Sequence, residues 1–184
     1  MEQDIKLPKK IENFLAKKGI KYEMAVHRTV YTAFDKAATM RVKPAAIAKV
    51  LVVKIDRDLA MVVIGGDKNL NIEKLQKLAK AKTVGFAKEK IIGETFKGID
   101  PGAITPFSEI WGIKLFCDKK ILEQPKMILS AGTYEASIKL APGAFIKANP
   151  EMVIAVISKA REKTKAAPKV KKPAKKTNKT QKRR

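Results

Sequence analysis

The sequence predicts an α+β domain, a mixed and largely antiparallel sheet with helices packed around it. Two observations carry this. Strand-like and helix-like stretches are interspersed along the chain. The strands "VLVVKI" and "LAMVVIGG" are separated by the turn "DRD", a hairpin by pattern. A doubly wound parallel sheet would not place two strands so close in sequence.

The elements follow in order. Pro8 to Lys18 reads as a helix with Ile11, Phe14 and Leu15 on one face and Gly19 as its stop. "IKYEMAVH" is a short strand. Thr32 is an N-cap, with Asp35 three residues on, before the helix "AFDKAATM". Pro44 opens a helical turn that delivers the chain to the hairpin. Asn71 caps "IEKLQKLAKA", where Ile72, Leu75 and Leu78 share a face, and "AKEKIIGETF" is a weaker helix. "GIKLFCD", "KMILSAG" and "ASIKL" are strands. "PGAFIKAN" is a helix with Pro142 at its first position. "MVIAVIS" is a last strand, and no internal repeat is present.

The 184 residues suit one domain with an appendage, and 45% apolar content supports a packed core. The net charge is +22, and from Lys159 to Arg184 there are 13 Lys/Arg against the single acid Glu162. This divides the chain into a folded body over 1–158 and a Lys/Pro-rich tail over 159–184, expected to be disordered because it cannot bury enough apolar surface to offset its ordering entropy. Such a charge distribution suits a polyanion, most simply nucleic acid whose phosphates the tail contacts. A solubilising tail is the alternative. Cys117 is the only cysteine, which excludes an internal disulfide and fits a reducing cytoplasm. The N-terminal stretch has no apolar signal region, and no apolar run is long enough to cross a membrane.

Several chemistries are set aside by inventory. His27 is the only histidine, so a His-based zinc site is not available, and no metal or other cofactor is expected. Cys117 lies mid-strand and reads as a buried inert thiol. "IGGD" at 64–67 is neither a P-loop nor a dinucleotide fingerprint. No G-x-S-x-G elbow accompanies a triad.

Two features remain. Lys49 sits at the mouth of the apolar run "AAIAKVLVVKI", on the strand face of Leu51, Val53 and Ile55. It either snorkels to water or is held for a purpose. "GIDPGAITPF" at 98–107 holds two glycines and two prolines. Gly102 can bring bare backbone to a ligand oxygen there, or the segment is an ordinary surface loop.

Together, in order and spacing, these features resemble the YbaK/prolyl-tRNA editing domain family over roughly residues 10–158. "FLAKKGIKYEMAVH" is similar to the family's opening helix, glycine, strand and histidine, and "TAFDKAA" follows. In "IAKVLVV", Lys49 matches the family's functional lysine. "GAITPF" places Gly102 and Pro106 on the G-x-x-x-P loop, and "SAGTYEASIKLAP" places Gly132 on the late glycine. After Gly132 the chain lacks the histidine of the synthetase insertion domains and the aspartate of some YbaK-type members.

The resemblance implies a free-standing trans-editing hydrolase that deacylates mischarged aminoacyl-tRNA, with a small amino acid on tRNA(Pro) or a related tRNA. It also implies a curved sheet that closes partly like a barrel. Lys49 would hold phosphate or the reacting group near the terminal adenosine. The backbone from Gly102 through Ala103 to Pro106 would grip the aminoacyl carbonyl or amine, and water would attack. Ser130, Thr133, Thr32 and His27 are further candidates for substrate contact, though Thr32 reads first as a cap and His27 first as a structural histidine. Partners would be the aminoacylated 3′ end of tRNA and an aminoacyl-tRNA synthetase, with a cytoplasmic location. Two other classes compete: a non-catalytic tRNA-binding adaptor with the same fold and tail, and a nucleic-acid architectural protein whose tail resembles linker histones in composition.

Overall fold

The computed structural model describes residues 6–161. The expected disordered tail lies, from residue 162 on, outside the described residues. Helix α1 (Lys9–Lys17) buries Ile11, Phe14 and Leu15, and the chain leaves it through Gly19 at φ +58. β1 (Glu23–Val26) leads to α2 (Ala33–Thr39), where Thr32 caps as expected by accepting from the Asp35 N–H at 3.0 Å. A 3-10 turn at Pro44–Ala46 enters β2 (Ala48–Ile55), which pairs antiparallel with β3 (Asp58–Gly65) from Ala48–Gly65 to Ile55–Asp58. Asp56 takes φ +53 in the turn, and its carboxylate accepts from the Lys82 and Thr83 N–H groups. That ties the hairpin tip to the later strand β5 (Val84–Phe86).

β4 (Lys68–Leu70) follows, and then α3 (Ile72–Ala79), capped by Asn71 accepting from the Lys74 N–H. Leu75 is fully buried on α3, whereas Leu78 is exposed: the apolar stripe is narrower than its spacing suggests. α4 (Glu89–Thr95) and the one-turn α5 (Ser108–Trp111) precede β6 (Lys114–Asp118). After β7 (Met127–Ser130), β8 (Ala136–Leu140) and α6 (Pro142–Ala148), the chain ends in β9 (Val153–Ala155) and β10 (Ser158–Ala160).

The sequence suggested one last strand where there are two. Buried Asp118 explains the break. Its Oδ2 accepts from the Ile157 and Ser158 N–H groups at 2.9 and 2.7 Å, turning the chain between β9 and β10. Strand pairing runs on through Ala160, two residues past the boundary drawn from composition.

Five strands form a mixed sheet in the order β5-β2-β3-β6-β9, with β6 parallel to both neighbours. A second sheet, β1-β8-β7, is antiparallel, and β10 pairs antiparallel with β4. Among the described residues, none of the sheets closes into a barrel. One parallel bridge between Ile47 and Ile128 links the first two. The five-stranded sheet is apolar on both faces. Val52, Met61, Val63 and Leu115 face the main core with α1 and α6, while Val53, Val62, Ile64 and Phe116 pack toward Leu70 and Leu75. Burial on both sides explains why β2 and β3 read as continuous apolar runs.

Candidate functional site

The bridge between the sheets leaves an open pocket of about 390 Å³ where α2, the entry to β2 and the end of β7 meet. Of the residues singled out in the sequence, Thr32, Lys49, Gly102 and Ser130 line it. His27, Ala103, Pro106, Gly132 and Thr133 do not appear in its wall.

Lys49 is half-buried. Its ammonium donates to the Lys68 carbonyl of β4. Burial first, then the nearby Arg161 charge, pushes its pKa down, opposed by Asp67. The opening lysine of the apolar run is therefore held by a backbone oxygen rather than loose in water, with two N–H donors left over.

The glycine loop reaches the pocket only at Gly102. Its N–H donates to the Tyr134 hydroxyl at 3.3 Å, and a Cβ added there would meet the Tyr134 ring at 3.1 Å. The Ala103 N–H is committed to the Asp100 carbonyl at 2.8 Å, and Ala103 and Pro106 are buried in the body. Gly132 has a packing role. It takes φ +94, its N–H donates to the Ala103 carbonyl, and a Cβ would strike Pro8 at 2.8 Å and Ile99 at 3.0 Å. It clamps the loop to the β7–β8 connection. Thr133 keeps a buried hydroxyl without a partner in the same connection.

His27 fastens β1. Its Nδ1 lies 2.9 Å from the Arg28 carbonyl, an acceptor only, so Nδ1 carries the proton. Nε2 then accepts from the Ser137 hydroxyl at 2.8 Å. Burial, with a contribution from the Lys36 charge, pushes the imidazole below its usual value, although the Arg28 contact opposes this. Cys117 is fully buried and its thiol is pushed up to about 12 by burial and Asp118, as an inert thiol should be.

The residue that sequence reasoning missed is Lys36. It is 6% exposed, lines the pocket, and donates from Nζ to Ser130 Oγ at 2.8 Å. Burial pushes its amine down to about 8. The available signal was its position on α2, three residues after Ala33 and one before the buried Ala37, on the inward side of a short helix. The rim was missed too. Tyr31 is 72% exposed and meets the Tyr134 ring edge-on at 4.8 Å. Phe34 is exposed, with the Arg161 guanidinium 4.7 Å from its ring. Gly66 forms part of the wall, where a Cβ would lie 2.8 Å from the Pro44 carbonyl. The "IGGD" turn thus matters for close approach of backbone at the pocket wall.

Among the described residues, no group of three or more His, Cys, Asp or Glu could hold a metal ion. None of their helices is long and apolar enough to cross a membrane.

Fold and pocket define an α+β domain with a cleft that is cationic within and aromatic at its rim. That combination suits the end of a nucleic-acid strand. The family model described as the aminoacyl-tRNA editing domain matches residues 27–148, and the chain belongs to that family. A crystal structure of the hypothetical protein APE2540 is 26% identical, with a TM-score of 0.74, and the match covers 82% of this chain and 99% of that one. A structure described as a "putative trans-editing enzyme for prolyl tRNA synthetase" shares the fold at 18% identity and TM-score 0.71, with coverage of 83% and 96%. No curated protein matches.

Proposed function

We propose that the chain is a trans-editing deacylase. It hydrolyses the ester between a small, wrong amino acid and the terminal adenosine of tRNA(Pro) or a related tRNA. The observation that carries this reading is the meeting of Lys49, Gly102 and the exposed aromatics Tyr31 and Phe34 around one pocket, in a chain of the aminoacyl-tRNA editing domain family.

The chemistry needs little machinery, because an aminoacyl ester is already an activated acyl group. Water adds to the carbonyl carbon, the bond to the ribose oxygen breaks, and that oxygen leaves with a proton. The products are the free amino acid and uncharged tRNA. Holding ester and water in register supplies most of the acceleration. Lys49 would set its two remaining N–H donors toward a phosphate or the developing oxyanion. The Gly102 N–H would turn from the Tyr134 hydroxyl to the carbonyl oxygen, the kind of oriented donor that stabilises such a charge. Tyr31 and Phe34 would stack the terminal base, with Arg161 near the backbone. A cavity of about 390 Å³ has room for a small aminoacyl group, and discrimination against a larger correct one would come from the shape of the pocket rather than from its volume. The basic tail would add phosphate contacts without reading sequence. A synthetase that hands over its product and a cytoplasmic setting fit this role.

A deacylation panel of charged tRNAs, including Ala-tRNA(Pro), Cys-tRNA(Pro) and Ser-tRNA(Ala), tests the reading. Release of one amino acid at catalytic enzyme concentration is expected. Tight binding with no release from any of them would favour the non-catalytic adaptor.

A further inference from the structure

The floor of the pocket carries chemistry that ester hydrolysis does not use. Lys36 and Ser130 are 6% and 7% exposed, and both line the cavity. The Lys36 ammonium has three N–H donors, and the Ser130 hydroxyl takes one of them at 2.8 Å. No carboxylate pairs with Lys36 among the described residues. Val30, Ile47 and Ala48, buried and apolar, line the same cavity and their side chains offer no acceptor, and Ser130 is the one hydrogen-bond partner of the Lys36 ammonium among the described residues. A buried cation with unmet donors is costly, by far more than a buried methyl group of the same stem would be. A ligand oxygen entering the cavity would complete its shell. Burial lowers the amine only to about 8, so it remains mostly protonated at neutral pH.

We propose that Lys36 and Ser130 form a side-chain subsite that recognises an oxygen acceptor on the aminoacyl group of the substrate. The proposal rests on the deacylase reading of the same pocket and names its substrate class. With the ester held at the rim by Lys49 and Gly102, the amino-acid side chain is the part that reaches the floor. The α-ammonium of the substrate is repelled by Lys36 and turns away from it. A seryl hydroxyl or an aspartyl carboxylate accepts from Lys36, whereas an alanyl methyl leaves the ammonium as it was. Sites built to hydrogen-bond a substrate group discriminate strongly against analogues lacking it, because their own buried polar groups are then left unpaired.

The test compares seryl, aspartyl and alanyl esters of one tRNA, with wild type and with Lys36→Met, which keeps the stem and removes the donors. Wild type should favour one oxygen-bearing ester over alanyl by at least about tenfold in kcat/KM. A seryl preference identifies a hydroxyl as the acceptor, and an aspartyl preference a carboxylate. In Lys36→Met that ratio should fall to within about threefold of unity, with the thermal midpoint no lower than wild type. Binding is read separately with the same three aminoacyl groups amide-linked to 3′-amino-3′-deoxyadenosine, where the oxygen-bearing amides should bind wild type more tightly and lose that advantage in Lys36→Met. An unchanged ratio in the variant, or equal losses on all three esters, overturns the subsite. Hydrolysis without oxygen preference also overturns the subsite while leaving the deacylase standing. Preferential amide binding with no ester cleaved supports the subsite and overturns the deacylase.

Discussion

The Gly102 N–H donates to the Tyr134 hydroxyl at 3.3 Å, linking the glycine loop to the β7–β8 connection at the pocket rim. The bond is long, and Gly102 is exposed, so exchanging the hydroxyl for a substrate oxygen costs little. Gly102→Val should reduce single-turnover deacylation more than about tenfold, because its Cβ would stand 3.1 Å from the Tyr134 ring and the branched side chain would cover the N–H. Tyr134→Phe keeps the ring and frees the N–H, so its rate should stay within about threefold of wild type. A normal rate in Gly102→Val would remove this backbone donor from the mechanism.

Gly132→Ala should act on stability instead. At φ +94, with Pro8 at 2.8 Å and Ile99 at 3.0 Å from any added Cβ, both strain and overpacking oppose the methyl group. The loss should be about 2 kcal/mol or more. Urea titration reads it directly, and an unshifted midpoint would show that the connection relaxes freely.

Much of this fold is legible locally. The β2–β3 hairpin follows from two apolar runs and a turn at Asp56, and the caps at Thr32 and Asn71 follow from side chains that reach N–H groups three residues away. What depends on distant residues is not. The β9–β10 break is made by Asp118, about forty residues earlier, and the parallel pairings of β6 leave no mark on its own sequence. The site divides in the same way. Lys49 announces itself by charge in an apolar run, while Lys36 resembles any helix lysine until Ser130, 94 residues on, is placed against it. Gly102 and Gly132 look equivalent in sequence, and only the surrounding atoms separate a rim position from a packed one.

Lys36 also predicts a pH dependence of stability. Its amine falls from 10.5 to about 8 on folding, so between those values the unfolded chain binds more protons. The destabilisation is fully present below about pH 8 and is relieved as pH rises toward 10.5. Its full size is on the order of 3 kcal/mol, at about 1.4 kcal/mol per unit. Lys36→Met should therefore be more stable than wild type at pH 7, with the gap narrowing from pH 8 to 10. Chemical unfolding of the two proteins at several pH values checks this, and a constant gap would contradict it.

The tail beyond Arg161 holds eleven Lys/Arg and one acid. Truncation after Arg161 keeps β10 and the Arg161–Phe34 contact intact. It should weaken tRNA binding and flatten its dependence on salt, since each lost phosphate contact removes about 0.7 to 0.9 from the slope. Filter binding at several salt concentrations measures this. The single-turnover rate at saturating enzyme should hold, because the pocket lies in the body. An unchanged slope would assign the tail to solubility or to another partner.

The most direct measurement is single-turnover hydrolysis of the preferred mischarged tRNA by Lys49→Ala, at saturating enzyme and with circular dichroism on the same samples. Lys49 stands at the pocket with its ammonium on the Lys68 carbonyl and two donors to spare. The spectrum should be unchanged and the rate lower by about 10² or more, the usual cost of losing one oriented charge-stabilising donor. A folded Lys49→Ala protein that hydrolyses the ester within about threefold of wild type would remove Lys49 from the mechanism.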